Sequence, residues 1–260
     1  MQGTMMHYPL TLSHSLERTG KYFSTAEIVS RWPDHSLHRY TYADLYRRSR
    51  VLAEALQKAG LKRGDRVATL MWNHYAHLEA YFGIPISGSV LHPLNLRLAP
   101  TEIAYIANHA QDRFLIVDDV LLPLYEKIRD QVQFERVIVV GWSGRATGTK
   151  LEDYEDFLST ASGSFQYPDL DENEAACMCY TSGTTGVPKG VVYTHPFCDA
   201  AHVPDYDRRQ LCDLQRRHRP ADRFHVSCEW MRTLVCRYFG RSETGLTRSA
   251  SQAGKPVGAL

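Results

Sequence analysis

Short apolar runs alternate with longer helix-like segments through the first 195 residues, at intervals of about 20–25 residues. Three of these runs, over residues 67–72, 114–117 and 137–140, are predominantly apolar and do not alternate with polar residues. Such runs are typical of parallel strands that are covered on both faces, and helices usually connect strands of this kind. The pattern therefore predicts the α/β fold class: a doubly wound, layered parallel sheet with helices on both faces.

The first 40 residues form an irregular lead-in, with one short helix indicated over residues 12–19 and a strand-like end at 37–40. The clearest helical pattern begins directly afterwards. Thr41 is a candidate N-cap, Asp44 lies in the first turn, where a carboxylate suits the helix dipole, and Gly60 is a stop signal. Opposite the apolar stripe, a solvated face is expected rather than a nucleic-acid contact, formed by Arg47, Arg48, Glu54 and Lys58.

A further helix is predicted over residues 74–82, with Gly83 and Pro85 as the residues that end it. His74 and His77 lie three positions apart on this helix, a spacing that can place two metal ligands on one face. The aromatic residues around them favour packing or surface positions. A metal site at these histidines is therefore the weaker alternative.

Composition limits the classes of function. The chain has 260 residues, a net charge of +1 at pH 7, 43% apolar residues and 23% charged residues, which are values of an ordinary globular protein. The balanced charge does not indicate a nucleic-acid partner, and no apolar stretch is long enough to span a membrane. Six irregularly spaced cysteines, and an N-terminus unlike a secretory signal, predict a soluble protein with reduced thiols in the cytoplasm.

The most informative motif covers residues 180–190, Tyr-Thr-Ser-Gly-Thr-Thr-Gly-Val-Pro-Lys-Gly. Gly183 and Gly186 allow backbone N–H groups to approach an anion closely, and Lys189 adds a positive charge. Hydroxyl groups that can donate to phosphate oxygens are supplied by Thr181, Ser182, Thr184 and Thr185. The motif therefore predicts a phosphate-binding loop.

The motif does not fit the Walker A pattern. Pro188 stands where that pattern needs its second glycine, and Gly190 stands where it needs a hydroxyl residue. Residues 191–193 are β-branched and aromatic, so a strand rather than a helix is predicted after the loop. An ordinary hairpin loop is the weaker alternative.

The loop closely resembles the signature loop of the adenylate-forming enzymes, the superfamily of acyl-CoA synthetases, firefly-type luciferases and peptide-synthetase adenylation domains. Four upstream segments resemble further elements of this family in the same order, namely residues 39–45, 64–68, 95–98 and 102–105. The resemblance covers about residues 10–195. Within the superfamily, the sequence is most similar to those of the fatty-acyl-CoA synthetases.

The resemblance implies that the chain is part of the large domain of an adenylate-forming enzyme. The implied reaction joins a carboxylate, such as a fatty acid, to ATP, releases pyrophosphate and passes the acyl group to coenzyme A. ATP, Mg²⁺ and coenzyme A are thus the expected cofactors and co-substrates. The residues implied to hold the β- and γ-phosphates are Thr181, Ser182, Gly183, Thr184, Thr185, Gly186 and Lys189.

The chain changes character after His195. Residues 196–260 contain 11 basic and 7 acidic residues, and ten of the basic residues are arginine. Four of the six cysteines also lie there, whereas almost none of the family's later motifs can be found. Residues 239–245 resemble a Thr/Glu element that would make Glu243 a magnesium ligand, but the short interval from the loop leaves a chance match open.

We interpret residues 1–195 as the N-terminal part of an adenylation domain and residues 196–260 as an atypical Arg- and Cys-rich tail of low order, produced by a shifted reading frame. A zinc site or an RNA contact in the tail is a weaker alternative. The leading hypothesis is a fragment of an ATP-dependent acyl-CoA ligase that is inactive alone, because the family's catalytic lysine is not found. The alternatives are a non-catalytic nucleotide-binding module and a non-functional truncated product.

Overall fold

The structure, a computed structural model, describes residues 8–143, 151–181 and 188–200. Within these ranges the helices are α1 (Leu12–Tyr22), α2 (Tyr42–Lys58), α3 (Tyr75–Ile86), α4 (Pro100–Ala110), α5 (Leu122–Ile128), α6 (Tyr154–Ser159) and α7 (His195–Ala200). The strands are β1 (Glu27–Arg31), β2 (Leu37–Thr41), β3 (Arg66–Leu70), β4 (Val90–Pro93), β5 (Asp112–Asp118), β6 (Arg136–Val140), β7 (Glu152–Asp153), β8 (Ala175–Thr181) and β9 (Lys189–Thr194).

Strands β3 to β9 form one sheet in the order β7-β6-β5-β3-β4-β8-β9. All neighbouring pairs from β7 to β8 are parallel, whereas β8 and β9 pair antiparallel. Strands β1 and β2 form a separate antiparallel pair. The predicted α/β sheet is therefore confirmed, with the difference that it is mixed: a hairpin closes one end of an otherwise parallel sheet.

Successive residues of the central strand β5 contribute to two different cores. Phe114 and Ile116 belong to the core beneath α1, α2, α3 and α6, whereas Leu115 and Val117 belong to the core beneath α4 and α5. Because side chains alternate between the faces of a strand, a strand that is buried on both faces needs an unbroken apolar run. This confirms the predicted helices on both faces of the sheet.

Helix α2 begins as the sequence predicts. The backbone N–H of Asp44 donates to Thr41 Oγ1 over 3.3 Å, and the backbone N–H of Thr41 donates to Asp44 Oδ2 over 3.0 Å. This reciprocal pair satisfies two of the free donors at the helix start. The cap depends only on residues three positions apart, and its prediction is confirmed.

The predicted solvated face of α2 is wrong at Arg48 and Glu54. Arg48 Nε lies 2.6 Å from Oε1 of Glu79, a fully buried carboxylate on α3, and the same guanidinium binds Glu155 on α6. Glu54 is buried and accepts a 2.8 Å hydrogen bond from the backbone N–H of Ser162. Since α2 packs against α3 and α6 as well as α1, part of its polar side is enclosed.

Helix α3 does not end at Gly83 and Pro85 but continues through both to Ile86. A Cβ at Gly83 would lie 2.9 Å from both Leu52 Cδ2 and the carbonyl oxygen of Ser49, so the glycine allows α3 to lie close against α2. Pro85 stands in the last turn, where the helix ends one residue later. Tertiary packing here overrides two local stop signals.

Candidate functional site

The phosphate-loop motif lies on the β8–β9 hairpin. Strand β8 runs parallel to β4, with Cys177 paired to Leu91, so the loop leaves the sheet at its carboxyl end. Ligands of open α/β sheets bind at this end of the strands. The strand that sequence analysis predicts after the loop is confirmed as β9.

Thr181 and Lys189, the first and last of the predicted phosphate-binding residues, are directly paired across the hairpin. Thr181 is half-buried and the Lys189 side chain is exposed. Their pairing places a hydroxyl group and an ammonium group next to each other at the end of the sheet. This combination fits an anionic ligand such as a phosphate. The other predicted site residues lie outside the described residues: Ser182, Gly183, Thr184, Thr185, Gly186 and Glu243.

A buried histidine–aspartate pair lies next to the hairpin. His92 Nδ1 on β4 lies 2.8 Å from Asp112 Oδ2 on β5, and both side chains are fully buried. Burial raises the pKa of Asp112, against the opposing effect of His92. The other ring nitrogen of His92, Nε2, has no hydrogen-bond partner among the described residues, and its ring lies 5.3 Å from that of Tyr180.

A second buried pair fills the crevice between β3 and β5, where the following helices α3 and α5 leave toward opposite faces. His74 Nε2 lies 2.8 Å from Asp118 Oδ1, and the backbone N–H of Trp72 donates to Asp118 Oδ2 over 2.6 Å. The Trp142 ring stacks on His74 with the centroids 3.9 Å apart. These three side chains lie at a position that often receives ligands in such sheets.

The packing interpretation of His74 and His77 is confirmed. His77 Nε2 lies 3.1 Å from Thr69 Oγ1, and its Nδ1 lies 3.2 Å from the carbonyl oxygen of Trp72. Burial lowers the pKa of His77 to about 3, so the ring is neutral at pH 7. Across the described residues, no group of three or more His, Cys, Asp or Glu side chains is placed to hold a metal ion.

Sequence reasoning missed the acidic partners of these groups. Asp112, Asp118 and Glu79 each bind a residue at least 20 positions away in the chain. No local pattern marks such a pair, because partner and spacing are set by the strand order. A carboxylate residue inside or at the end of an apolar run indicates that it is buried and needs a partner. The sequence does not indicate which residue the partner is.

The layered sheet and the hairpin-borne loop define an α/β protein of the adenylate-forming fold. The AMP-binding enzyme family matches this chain over residues 16–224, which is most of its length. The chain belongs to the AMP-binding enzyme family. The match extends past His195, and the division of the chain at that residue stays a prediction.

Similar curated proteins are acid–CoA ligases. A long-chain-fatty-acid–CoA ligase of Thermus thermophilus is 47% identical over 193 residues, covering 74% of this chain and 35% of the relative. A 3-methylmercaptopropionyl-CoA ligase of Ruegeria pomeroyi is 41% identical over 199 residues, covering 75% of this chain and 37% of the relative. The chain thus spans little more than a third of the length of these relatives.

Solved structures support the fold. The anthranilate CoA ligase AuaEII, solved with anthranoyl-AMP, superimposes with a TM-score of 0.67 at 24% identity, covering 77% of this chain and 38% of that one. A long-chain-fatty-acid–CoA ligase from Archaeoglobus fulgidus gives a TM-score of 0.65 at 19% identity, covering 78% and 41%. At these identities, the likeness concerns the fold alone.

No helix within the described ranges combines the length and the apolar character that crossing a bilayer requires.

Proposed function

We propose that the chain is part of an ATP-dependent acid–CoA ligase and that its hairpin loop binds the β- and γ-phosphates of ATP. The observation that carries the proposal is the direct pairing of Thr181 with Lys189 at the end of β8, in a chain of the AMP-binding family. The remaining phosphate ligands in this proposal are Ser182, Gly183, Thr184, Thr185 and Gly186.

The chemistry is electrostatic. When a carboxylate attacks the α-phosphorus of ATP, pyrophosphate leaves and negative charge builds up on its oxygens. In this proposal Lys189 and the loop hydroxyls stabilise that charge by donating hydrogen bonds to the phosphate oxygens. Bound Mg²⁺ would neutralise further phosphate charge, and Glu243, the residue predicted to hold that ion, lies outside the described residues.

The substrate in this proposal is a small-molecule carboxylic acid, a fatty acid in particular, with coenzyme A as the acceptor of the acyl group. Support comes from the names of the relatives, which include long-chain and medium-chain fatty-acid–CoA ligases. The irregularly spaced cysteines and the balanced charge support a cytoplasmic site of action without a nucleic-acid partner.

A second candidate is ATP binding without ligation. The sequence after His195 lacks recognisable counterparts of the catalytic lysine and the ribose-binding aspartate that the family resemblance implies. A phosphate-binding loop can hold ATP by itself, whereas ligation also requires a charge at the reacting atoms and an anchor on the ribose.

Calorimetric titration with ATP and Mg²⁺ tests the proposal. Lys189→Ala removes a charged hydrogen-bond donor, so ATP affinity should fall by about 10- to 100-fold. Lys127→Ala, an exposed lysine on α5, is the matched control and should bind ATP like the wild type. Equal affinity of both variants would contradict the assignment of Lys189.

A pyrophosphate-release assay separates the two candidates. The wild-type chain is incubated with palmitate, ATP, Mg²⁺ and coenzyme A. Steady release of pyrophosphate that needs palmitate supports ligation by this chain. ATP binding without release supports the second candidate.

A further inference from the structure

Tyr180, the residue directly before the loop, is held on two sides. Its hydroxyl group lies 2.5 Å from Nδ1 of His109, in the last turn of α4. Its ring lies edge-on to the His109 ring, with the centroids 5.7 Å apart, and tilts against the His92 ring. Burial also raises the pKa of Tyr180.

The second contact joins the two strands of the hairpin. Tyr180 is paired in register with Gly190, the residue directly after Lys189. A Cβ at Gly190 would lie 3.2 Å from Cε2 and Cζ of the Tyr180 ring and 3.4 Å from its hydroxyl oxygen. The ring therefore lies across the backbone of Gly190, in space that any side chain at position 190 would occupy.

The anchor of this contact is an exposed side chain on a packed helix. His109 belongs to α4, which packs its apolar side into the core shared with β3, β5 and β6. Two residues after this helix, Asp112 forms the buried pair with His92, against which the Tyr180 ring also lies. A single aromatic side chain thus connects the hairpin with a helix and with the central strands.

We propose that Tyr180, bonded to His109 and packed on Gly190, is a positioning residue that fixes the base of the phosphate loop. It acts through its neighbours: with both strands of the hairpin held against α4, Thr181 and Lys189 keep one position relative to the sheet. The inference rests on the proposed function only for the identity of the bound phosphate.

We call the contacts of Tyr180 with His109 and Gly190 the clamp. It can be tested without nucleotide, because trypsin can cleave the Lys189–Gly190 peptide bond, which lies inside the hairpin that the clamp holds. Tyr180→Phe and His109→Ala each remove the hydrogen bond, and about a fivefold faster cleavage after Lys189 is expected. Cleavage after Lys127 in the same digest reports global stability. The ratio of the two rates therefore isolates the hairpin from general unfolding.

Variants along the contact sharpen this test. His109→Gln supplies a carbonyl acceptor and should return the cleavage ratio toward the wild-type value. The double variant Tyr180→Phe/His109→Ala should cleave no faster than either single variant, since both remove the same bond. Tyr22→Phe removes a hydroxyl group from an exposed tyrosine on α1 and is the control.

ATP affinity provides the second measurement. Tyr180→Phe and His109→Ala should each weaken ATP binding by about fivefold, again without additivity, and His109→Gln should restore it. If no variant changes the ratio of cleavage after Lys189 to cleavage after Lys127, the clamp is overturned. This holds even if the variants are globally destabilised, because both rates then rise together. ATP affinity that stays at the wild-type value while the ratio changes overturns the positioning role. A wild-type chain that fails to bind ATP overturns the proposed function, whereas the cleavage ratio still decides on the clamp.

Discussion

Two regions of the molecule use their charged residues differently. Between α2, α3 and α6, Arg48 and Glu79 are engaged with each other inside the protein. On β9, the outermost strand within the described ranges, Lys189 is exposed and makes no ion pair with any described residue. A charge that is already neutralised by a fixed partner interacts only weakly with a ligand. Arg48 and Glu79 therefore stabilise the fold, whereas Lys189 is available for binding.

The largest effect on stability is expected when the buried Arg48–Glu79 pair is broken. Arg48→Ala leaves the carboxylate of Glu79 buried without its cation, and the free energy of unfolding should fall by about 3–5 kcal/mol in urea denaturation. Arg47→Ala, one position away, removes only a surface pair with Asp44 and should cost less than about 1 kcal/mol. Equal losses in the two variants would show that the pair with Glu79 contributes nothing beyond a surface contact.

The next effect concerns the contact between α2 and α3. Gly83→Ala places a methyl group 2.9 Å from both Leu52 Cδ2 and the backbone oxygen of Ser49, and the required shift should destabilise the chain by about 1–3 kcal/mol. At Gly141 a Cβ meets nothing within 4 Å, so Gly141→Ala serves as the control. If both variants unfold at the wild-type urea concentration, the two helices are not in close contact at this point.

A smaller effect depends on pH. Burial alone would raise the pKa of Glu54, but hydrogen bonds from Ser162 and the charge of Lys58 lower it to about 2. A carboxylate with a lowered pKa stabilises the folded state above its unfolded pKa of about 4.5, and this contribution disappears as the pH falls toward 2. Glu54→Gln should therefore be less stable than the wild type at pH 7 and approach it in acid. Urea titrations at several pH values measure this, with Glu126→Gln as an exposed control; a difference that grows on acidification would contradict it.

The smallest effect on stability is expected at the exposed residue Lys189. Lys189→Ala should change the free energy of unfolding by less than about 0.5 kcal/mol, because the side chain is exposed. Thermal unfolding without nucleotide measures this change. A loss of several kcal/mol would place Lys189 among the residues that stabilise the fold, and its effect on ATP affinity would then lose its meaning.

Sequence reasoning succeeded where the determining residues are close together in the chain. Thr41 and Asp44 define the start of α2, and the phosphate-loop motif predicts the strand that follows it. It failed where distant contacts decide. The strand β1 lies in the predicted irregular lead-in, and it forms because residues 27–31 pair with β2. The extent of α3 depends in the same way on its packing against α2, which no pattern within residues 74–86 contains.

The candidate site follows the same division. Both ends of the loop could be assigned from the motif, because the loop closes on itself within eleven residues. The contact of Tyr180 with His109 spans 71 positions and appears only when α4 and the hairpin are placed on one sheet. Residue types therefore predict which groups bind phosphate, and this stays a prediction, whereas the contacts around the two ends of the loop could not be predicted from them.

Within the described ranges, β9 is the outermost strand of the sheet, and the side chain of Val192 at its middle is 51% exposed. The backbone groups on the outer side of such a strand can extend the sheet by pairing with a further strand, from the same chain or from a neighbouring molecule. A molecule that docks there would grip the same strand that carries Lys189. Self-association and nucleotide binding should therefore be measured together, across a range of protein concentrations.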